Sequence, residues 1–235
     1  MTVGCLPTDR GGVLTEINPP QQGISQPALW ALTSGIVGLL ANALLVLFFV
    51  LAQPFSEVQN GFGWLGTAND WVIPVQFLTM IPVALALRRW LPRTRSVRVS
   101  TAIAIAAMFA VAILHLLLVA GVLDFDVQVL MAVAAFLPVY AWVFIVSSIG
   151  HRHGALSRSV TRFGLLLGAS FPLGLLITAA GYLAGSASGH PLALASPGIV
   201  LGAWSWLALP VWPLILARLV FSKPPSFKAD KEGLS

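Results

Sequence analysis

Six long apolar runs constrain the fold of this chain more than any other feature. They cover residues 27–52, 70–87, 100–122, 127–148, 162–184 and 197–220. A helix needs about 20 mostly apolar residues to cross the hydrocarbon layer of a bilayer, and each run comes close to that length. The sequence therefore predicts an all-α polytopic membrane bundle of about six transmembrane helices in residues 27–221, between a leader, 1–26, and a tail, 222–235.

The composition excludes several other classes of protein. With 57% hydrophobic and 9% charged residues, the chain has too little polar material to cover a soluble globular core. Cys5 is the single cysteine, so neither a disulfide framework nor a thiolate metal site is possible within one chain. The sequence also lacks the alternation of basic and aromatic residues that favours nucleic-acid binding. We therefore expect membrane lipids and a lipophilic small molecule as partners, and no nucleic acid.

Charged residues are sorted between the connections that alternate along the chain. Twelve of the thirteen Lys and Arg residues fall at the end of span two, between spans four and five, or after span six. Four acidic residues fall in the other connections: Glu57, Asp70, Asp124 and Asp126. By the positive-inside rule, both termini are predicted to be cytoplasmic, and the protein is predicted to lie in a bacterial cytoplasmic membrane.

Prolines interrupt several of the apolar runs. Pro74 and Pro82 lie in the second run, which is the shortest, and we expect a kinked or partly broken helix there. Four prolines are expected to add further kinks in spans four, five and six: Pro138, Pro172, Pro210 and Pro213. Kinks free backbone carbonyls and open space between helices, so this pattern favours an intramembrane cavity.

The connection at residues 53–69 is rich in Pro, Gly, Asn and aromatic residues, which suits neither a strand nor a long helix. Phe55, Phe62 and Trp64 are costly to expose to water. The segment is predicted either to fold over the outer end of the bundle as a cap or to lie as a loop at the depth of the lipid headgroups.

Asp70 is predicted to open the second span, directly before Trp71. One interpretation is a helix cap, because Asp and Asn at a helix start accept hydrogen bonds from free backbone amides. The other is a general acid, because a carboxyl group enclosed by Trp71 and Trp64 would favour its neutral form. Both hold if Asn69 or Thr67 provides the cap.

The other three acids have two interpretations as well. Asp124 and Asp126 flank Phe125 in a short connection, where acids are ordinarily solvated. If the connection that contains Glu57 folds inward, these acids would approach Asp70 and keep one carboxyl group protonated. Oxygen ligands of this kind also suit Ca²⁺, but no known calcium-loop spacing is present. We predict no metal site and no cofactor, since no HExxH motif or phosphate-binding loop occurs.

His115 lies inside the third span, where an ionisable side chain is either functional or hydrogen-bonded in its neutral form. Gln76 is the corresponding polar candidate in the second span. An aromatic pocket beneath the acids would be lined by the following rings: Trp64, Trp71, Phe77, Phe136, Trp204 and Trp206. Such a pocket suits a lipophilic ligand or a cation, whereas the alternative is that these rings pack against lipid.

An acid group above an aromatic-rich and otherwise uncharged bundle resembles the small integral-membrane terpene cyclases. The resemblance covers the hydropathy profile of the six spans, and Asp70 matches the acid that members carry near the second span. Members carry a second acid late in the chain, which this sequence lacks inside its last spans, so Glu57, Asp124 or Asp126 would take that role. The stretch NDWVIPVQFLTMIPVALAL also resembles uncharacterised six-helix membrane proteins of high-GC bacteria.

The resemblance implies protonation-initiated cyclisation or isomerisation of an isoprenoid-like substrate through carbocations. In that hypothesis Asp70 is the general acid, and Glu57, Asp124 or Asp126 tunes it. Two other hypotheses stay open. The chain would bind or transport a cation or small molecule through the same acids, or it would be the membrane subunit of a larger complex.

Overall fold

The structure, a computed structural model, describes residues 25–54 and 61–221. These residues form seven α-helices and no strand. The helices are α1 (Gln26–Leu47), α2 (Trp64–Trp90), α3 (Arg95–Val119), α4 (Phe125–Arg152), α5 (Arg158–Ser188), α6 (Pro191–Ala208) and α7 (Val211–Leu219), and α1 continues as a π-helical segment, Phe48–Ala52.

The prediction of six membrane spans is confirmed. Six helical units are long and apolar enough to cross a membrane, with α6 and α7 together forming the sixth. The protein is therefore a multi-pass membrane protein. Of the predicted leader, only residues 25–26 are described, and the predicted tail lies outside the described residues.

Every helical unit begins before the apolar run that predicted it. α2 begins six residues before the start predicted for it, at Trp64, and α5 begins four residues before its predicted start, at Arg158. A helix satisfies its own backbone hydrogen bonds, so it continues through the lipid headgroup layer instead of ending where hydropathy falls. Residues 64–69, predicted to be part of a non-helical connection, are therefore helical.

Proline has different consequences in different spans. α2 is an uninterrupted helix through Pro74 and Pro82, so the alternative of a partly broken second span is wrong, whereas the alternative of a kinked one stays a prediction. The sixth span is interrupted, because Pro210 and Pro213 lie only three residues apart and each lacks the N–H that a helix requires. The Asn42 side chain donates to the Leu207 carbonyl at this break, with an Nδ2–O distance of 2.9 Å. The break is therefore packed against α1 rather than opened into a cavity.

The bundle is closed by contact between its first and last helices. From α1 to α6 each helix packs on the next along the chain, and α7 packs on α1 and, less extensively, on α5. The Ser25 hydroxyl, at the start of α1, donates to the Phe221 carbonyl just after α7, with an O–O distance of 2.8 Å. The two ends of the described chain consequently meet at one end of the bundle.

The closest helix pair, α5 and α6, depends on small residues. A Cβ atom at Gly174 would lie 2.9 Å from the Gly198 carbonyl oxygen and 2.8 Å from the Gly202 amide nitrogen. Only glycine at position 174 permits this approach of the two backbones. Membrane helices commonly associate through such small residues, because lipid provides no hydrophobic force that would drive them together.

Alternating helix directions place the charges of the described residues at two opposite ends. The basic end is defined by exposed arginines of five helices and of the turn between α2 and α3: Arg88, Arg89, Arg93, Arg95, Arg98, Arg152, Arg158, Arg162 and Arg218. The acidic end is defined by Asp70, Asp124 and Asp126. The helix directions therefore bear out the sorting of charge between alternate connections.

Candidate functional site at the acidic end

Asp70 lies inside α2, six residues after its first residue, Trp64. The interpretation of Asp70 as a helix cap is therefore wrong, and the same holds for Asn69 and Thr67. Gly63 occupies the cap position and offers no side chain. The Asp70 side chain is half-buried, and Pro74, one turn later, has no N–H to donate to the Asp70 carbonyl. Asp70 thus provides both a carboxyl group and a carbonyl oxygen that lacks its helical partner.

The acids are not joined to one another in the part of the chain that the structure describes. Asp124 and Asp126 are exposed at the start of α4, and neither forms a hydrogen bond with Asp70 among residues 25–54 and 61–221. Asp124 occupies the cap position of α4, but its side chain makes no capping hydrogen bond. Glu57 lies outside the described residues. Of the described acids, Asp70 is thus the one that combines burial with a position inside a span.

His115 and Gln128 form a buried pair between α3 and α4. Both side chains are less than 5% exposed. His115 Nδ1 lies 2.9 Å from the Val111 carbonyl oxygen, and His115 Nε2 lies 3.3 Å from the Gln128 amide nitrogen. The Val111 carbonyl can only accept, so His115 Nδ1 carries a proton in this contact. The Gln128 amide nitrogen lies almost equally far from both ring nitrogens, because it is also 3.4 Å from Nδ1. In its neutral form, His115 therefore has its proton on Nδ1.

Gln128 is a residue that the sequence reasoning missed. The signal lay in the short turn between α3 and α4, because His115 lies seven residues before the middle of that turn, Val122, and Gln128 lies six residues after it. In an antiparallel helix pair, such positions lie side by side. A single amide within an apolar helix, opposite an intramembrane histidine, is a candidate partner for that histidine.

Three of the predicted pocket rings pack together in the bundle interior. Phe77 and Phe136 are each 1% exposed, and their ring centroids are 5.4 Å apart. Trp206 is half-buried and meets Phe136 edge-on at 4.5 Å. Phe171 extends this ring cluster, with its centroid 6.1 Å from that of Phe136, and stacks on Tyr140 at 4.4 Å. The sequence reasoning did not include Phe171 or Tyr140 in the aromatic pocket.

The other three predicted rings lie at the perimeter of the bundle. Trp64, Trp71 and Trp204 are 60%, 55% and 38% exposed. The structure therefore divides the predicted pocket into a packed ring cluster and three outward-facing indoles, which have the exposure expected of residues in contact with lipid.

Gln76 is buried at a different seam of the bundle. A Cβ atom at Gly38 would lie 2.6 Å from the Gln76 amide nitrogen and 2.6 Å from the Pro210 ring. The Gln76 backbone carbonyl accepts a hydrogen bond from the Ser34 hydroxyl at 3.2 Å. Gln76 is therefore packed between α1 and the break in the sixth span.

The helix register relates Asp70 to the ring cluster. Asp70 precedes Phe77 by seven residues in α2, and Gln128 precedes Phe136 by eight residues in α4. With a rise of 1.5 Å per residue, these polar groups lie about 10 and about 12 Å nearer to the acidic end than the rings they precede. The Asp70 carboxyl group and the His115–Gln128 pair thus lie nearer to the acidic end than the rings of Phe77 and Phe136.

Comparisons with known proteins add no further constraint on this site. Among the described residues, no group of three or more His, Cys, Asp or Glu side chains is placed to hold a metal ion. No protein-family model, no curated protein and no solved structure matches the chain.

Proposed function

We propose that this protein is a membrane-embedded enzyme that protonates a lipophilic, isoprenoid-like substrate at the acidic end, with Asp70 as the general acid. The position of Asp70 carries the proposal. It is half-buried inside α2, about two helical turns from the rings of Phe77 and Phe136. A carboxyl group at the edge of an apolar layer favours its neutral form, which is the form that can donate a proton.

The proposed reaction begins with transfer of the Asp70 carboxyl proton to an alkene carbon of the substrate. The O–H bond and the alkene π bond break, and a C–H bond forms, which leaves a carbocation on the neighbouring carbon. A second alkene of the substrate attacks this cation and forms the new C–C bond. Loss of a proton from carbon to the Asp70 carboxylate then ends the cyclisation and restores the acid.

The ring cluster supports the cationic part of this reaction. Aromatic faces attract a positive charge, and the cluster of Phe77, Phe136 and Trp206 lies in the same half of the bundle as Asp70. An apolar surrounding also keeps water from capturing the cation. The buried pair of His115 and Gln128 lies at about the same depth in the membrane as Asp70. In this proposal its polar atoms hold an oxygen atom of the substrate.

The orientation of the protein is part of this proposal. The basic end faces the cytoplasm under the positive-inside rule, and the acidic end faces the opposite side of a bacterial inner membrane. The substrate reaches Asp70 from the lipid phase, since α2 exposes Trp71 and Val75 to its surroundings next to Asp70.

The test uses purified protein in lipid nanodiscs, with prenylated phenols that contain at least two alkenes as substrates in deuterated water. The Asp70 proton exchanges with solvent, so a protonation-initiated product carries one deuterium on carbon. We expect the Asp70→Asn variant to lose about 100-fold or more of the turnover, because general acid catalysis contributes roughly 10²–10⁴-fold. The matched control Asp126→Asn removes an exposed acid from the same end and should keep its activity.

Two results would contradict the proposal. Unchanged product formation by Asp70→Asn would exclude Asp70 as the proton donor. Absence of turnover, together with saturable binding of organic or divalent cations that Asp70→Asn weakens, would show instead a binding or transport protein.

A further inference from the structure

A cleft lies at the basic end, between the last turn of α2 and the first turn of α3. Its volume is about 480 Å³, within the roughly 300–1,000 Å³ of small-molecule sites. The residues that line it are Leu85, Arg88, Arg89, Arg93, Thr94, Val97 and Arg98. The site proposed at the acidic end uses none of these residues.

Four of the seven lining residues are arginines. Arg88 and Arg89 come from α2, Arg93 from the turn and Arg98 from α3. None of the four forms an ion pair or a hydrogen bond through its side chain with any residue in the ranges 25–54 and 61–221. Four like charges around one cleft repel one another unless an anion occupies it. Guanidinium groups bind phosphate oxygens through paired N–H donors, which makes a phosphate group the fitting anion.

Thr94 adds a neutral donor to the cleft. Its hydroxyl oxygen accepts a hydrogen bond from the Val97 amide, with an N–O distance of 3.3 Å. The hydroxyl proton is not used in that bond and can be donated to a ligand. The cleft therefore contains both charged and neutral hydrogen-bond donors. None of the side chains that line it is anionic.

The wall of the cleft nearest the membrane interior is apolar and continues into the lipid layer. Leu85 lines the cleft and is 40% exposed. Leu78, two turns deeper in α2, is also 40% exposed, and on α3 Val99 and Ile103 are 46% and 52% exposed. A ligand with a phosphate group in the cleft would therefore place an attached hydrocarbon chain along these side chains.

We infer that this cleft binds the phosphate headgroup of an anionic phospholipid, with the acyl chains lying against the exposed apolar side chains of α2 and α3. Basic pockets between membrane helices at the positively charged side are suited to such headgroups. The apolar track favours a lipid over a soluble phosphate, because a soluble phosphate would gain nothing from Leu85 and Leu78.

The test measures lipid retention by native mass spectrometry of the full-length protein. The protein is taken from nanodiscs that contain phosphatidylcholine and a minor fraction of phosphatidylglycerol or cardiolipin. The cleft variant Arg88→Gln/Arg93→Gln/Arg98→Gln removes three charges. The matched control Arg152→Gln/Arg158→Gln/Arg162→Gln removes three charges from the same end, between α4 and α5.

We expect the cleft variant to lose about tenfold or more of its preference for the anionic lipid, since basic residues near the membrane surface attract anionic headgroups. The control variant should change that preference by less than about threefold. The variant Arg88→Lys/Arg93→Lys/Arg98→Lys keeps the charge but loses the paired donors, so it should show an intermediate loss. Unchanged helical circular dichroism identifies the variants that are folded.

Three outcomes would overturn the inference. Equal losses in the cleft and control variants would show attraction of lipid by the whole basic end. No loss in a folded cleft variant would show that the cleft holds no lipid. Displacement of the lipid by inorganic phosphate at about ten times the protein concentration would show a site for soluble phosphate, because a lipid held also by its acyl chains resists that competitor.

Discussion

α3 and α4 are joined by two buried polar pairs that have the same register but different surroundings. Towards the acidic end, His115 pairs with Gln128, and towards the basic end the Trp142 indole N–H donates to the Thr101 hydroxyl at 3.2 Å. In α3, Thr101 and His115 are fourteen residues apart, and in α4 the same separation holds for Gln128 and Trp142. The two pairs are therefore about 21 Å apart along the bundle.

The difference between the pairs separates structure from candidate function. Trp142 and Thr101 are fully buried, and the Trp142 ring packs edge-on against Trp212 with centroids 5.4 Å apart. This pair has no titratable group and lies at a packed seam, so it holds helices together. His115 can titrate and lies at the end where Asp70 is half-buried. A buried hydrogen bond between membrane helices is thus not by itself a sign of function, and the two pairs can be tested against each other.

The largest effect on stability is expected at the pair nearer the basic end. Trp142→Ala removes a fully buried ring that contacts both Thr101 and Trp212. We expect the free energy of unfolding to fall by about 3 kcal/mol, the lower end of the range for soluble cores, because lipid replaces water outside the bundle. Thermal unfolding in detergent micelles, followed by circular dichroism, measures it.

Trp71→Ala is the matched control for this prediction. Trp71 is 55% exposed, so its loss should change stability by no more than about 0.5 kcal/mol. Equal destabilisation by the two substitutions would show that Trp142 does not hold the helices together as the structure indicates.

A smaller effect on stability is expected at the pair nearer the acidic end. Gln128→Leu removes the donor to His115 Nε2 while it preserves much of the side-chain volume. Interhelical hydrogen bonds in membranes contribute roughly 0.6–1.7 kcal/mol, so we expect a loss of about 1 kcal/mol. If the pair also holds substrate, turnover of the proposed reaction should fall further than this loss of stability explains. Leu130→Ala, at a side chain that is 73% exposed in the same helix, serves as the control.

The smallest expected effect is the coupling between the two pairs. Because they lie about 21 Å apart and share no partner, Trp142→Phe and Gln128→Leu should destabilise additively, within about 0.5 kcal/mol. The double variant and both single variants, measured by the same unfolding assay, provide the coupling energy. A coupling above about 1 kcal/mol would show that α3 and α4 shift as one unit and that the pairs are not independent.

Hydropathy was enough to predict the six spans, because a bilayer admits only apolar segments whose backbone bonds are satisfied internally. It was not enough to place Asp70. The residues from Trp64 to Asn69 are too polar to count as membrane-spanning, yet they continue α2, since helical bonds persist where the hydrocarbon ends. Asp70, which hydropathy placed at the start of the second span, consequently lies inside that span.

The effects of the prolines were also predicted only in part. Each proline removes one donor, and α2, with two well-separated prolines, and α4 and α5, with one each, remain continuous at that cost. Pro210 and Pro213 together interrupt the sixth span, and Asn42 on α1 accommodates the break. The direction of the indoles of Trp71 and Trp204 was likewise beyond sequence reasoning, because both faces of a membrane helix accept aromatic residues.

The hydrogen bond from Ser25 to Phe221 has a consequence for biosynthesis. Of the described helices, α1 is synthesised first and its partner α7 last, and at nine residues α7 is too short to cross a bilayer alone. The ring of helices therefore cannot close until translation of the bundle is nearly complete. Because residues 25 and 221 are neighbours in space, a circularly permuted chain that joins them and opens at the α4–α5 turn should still assemble.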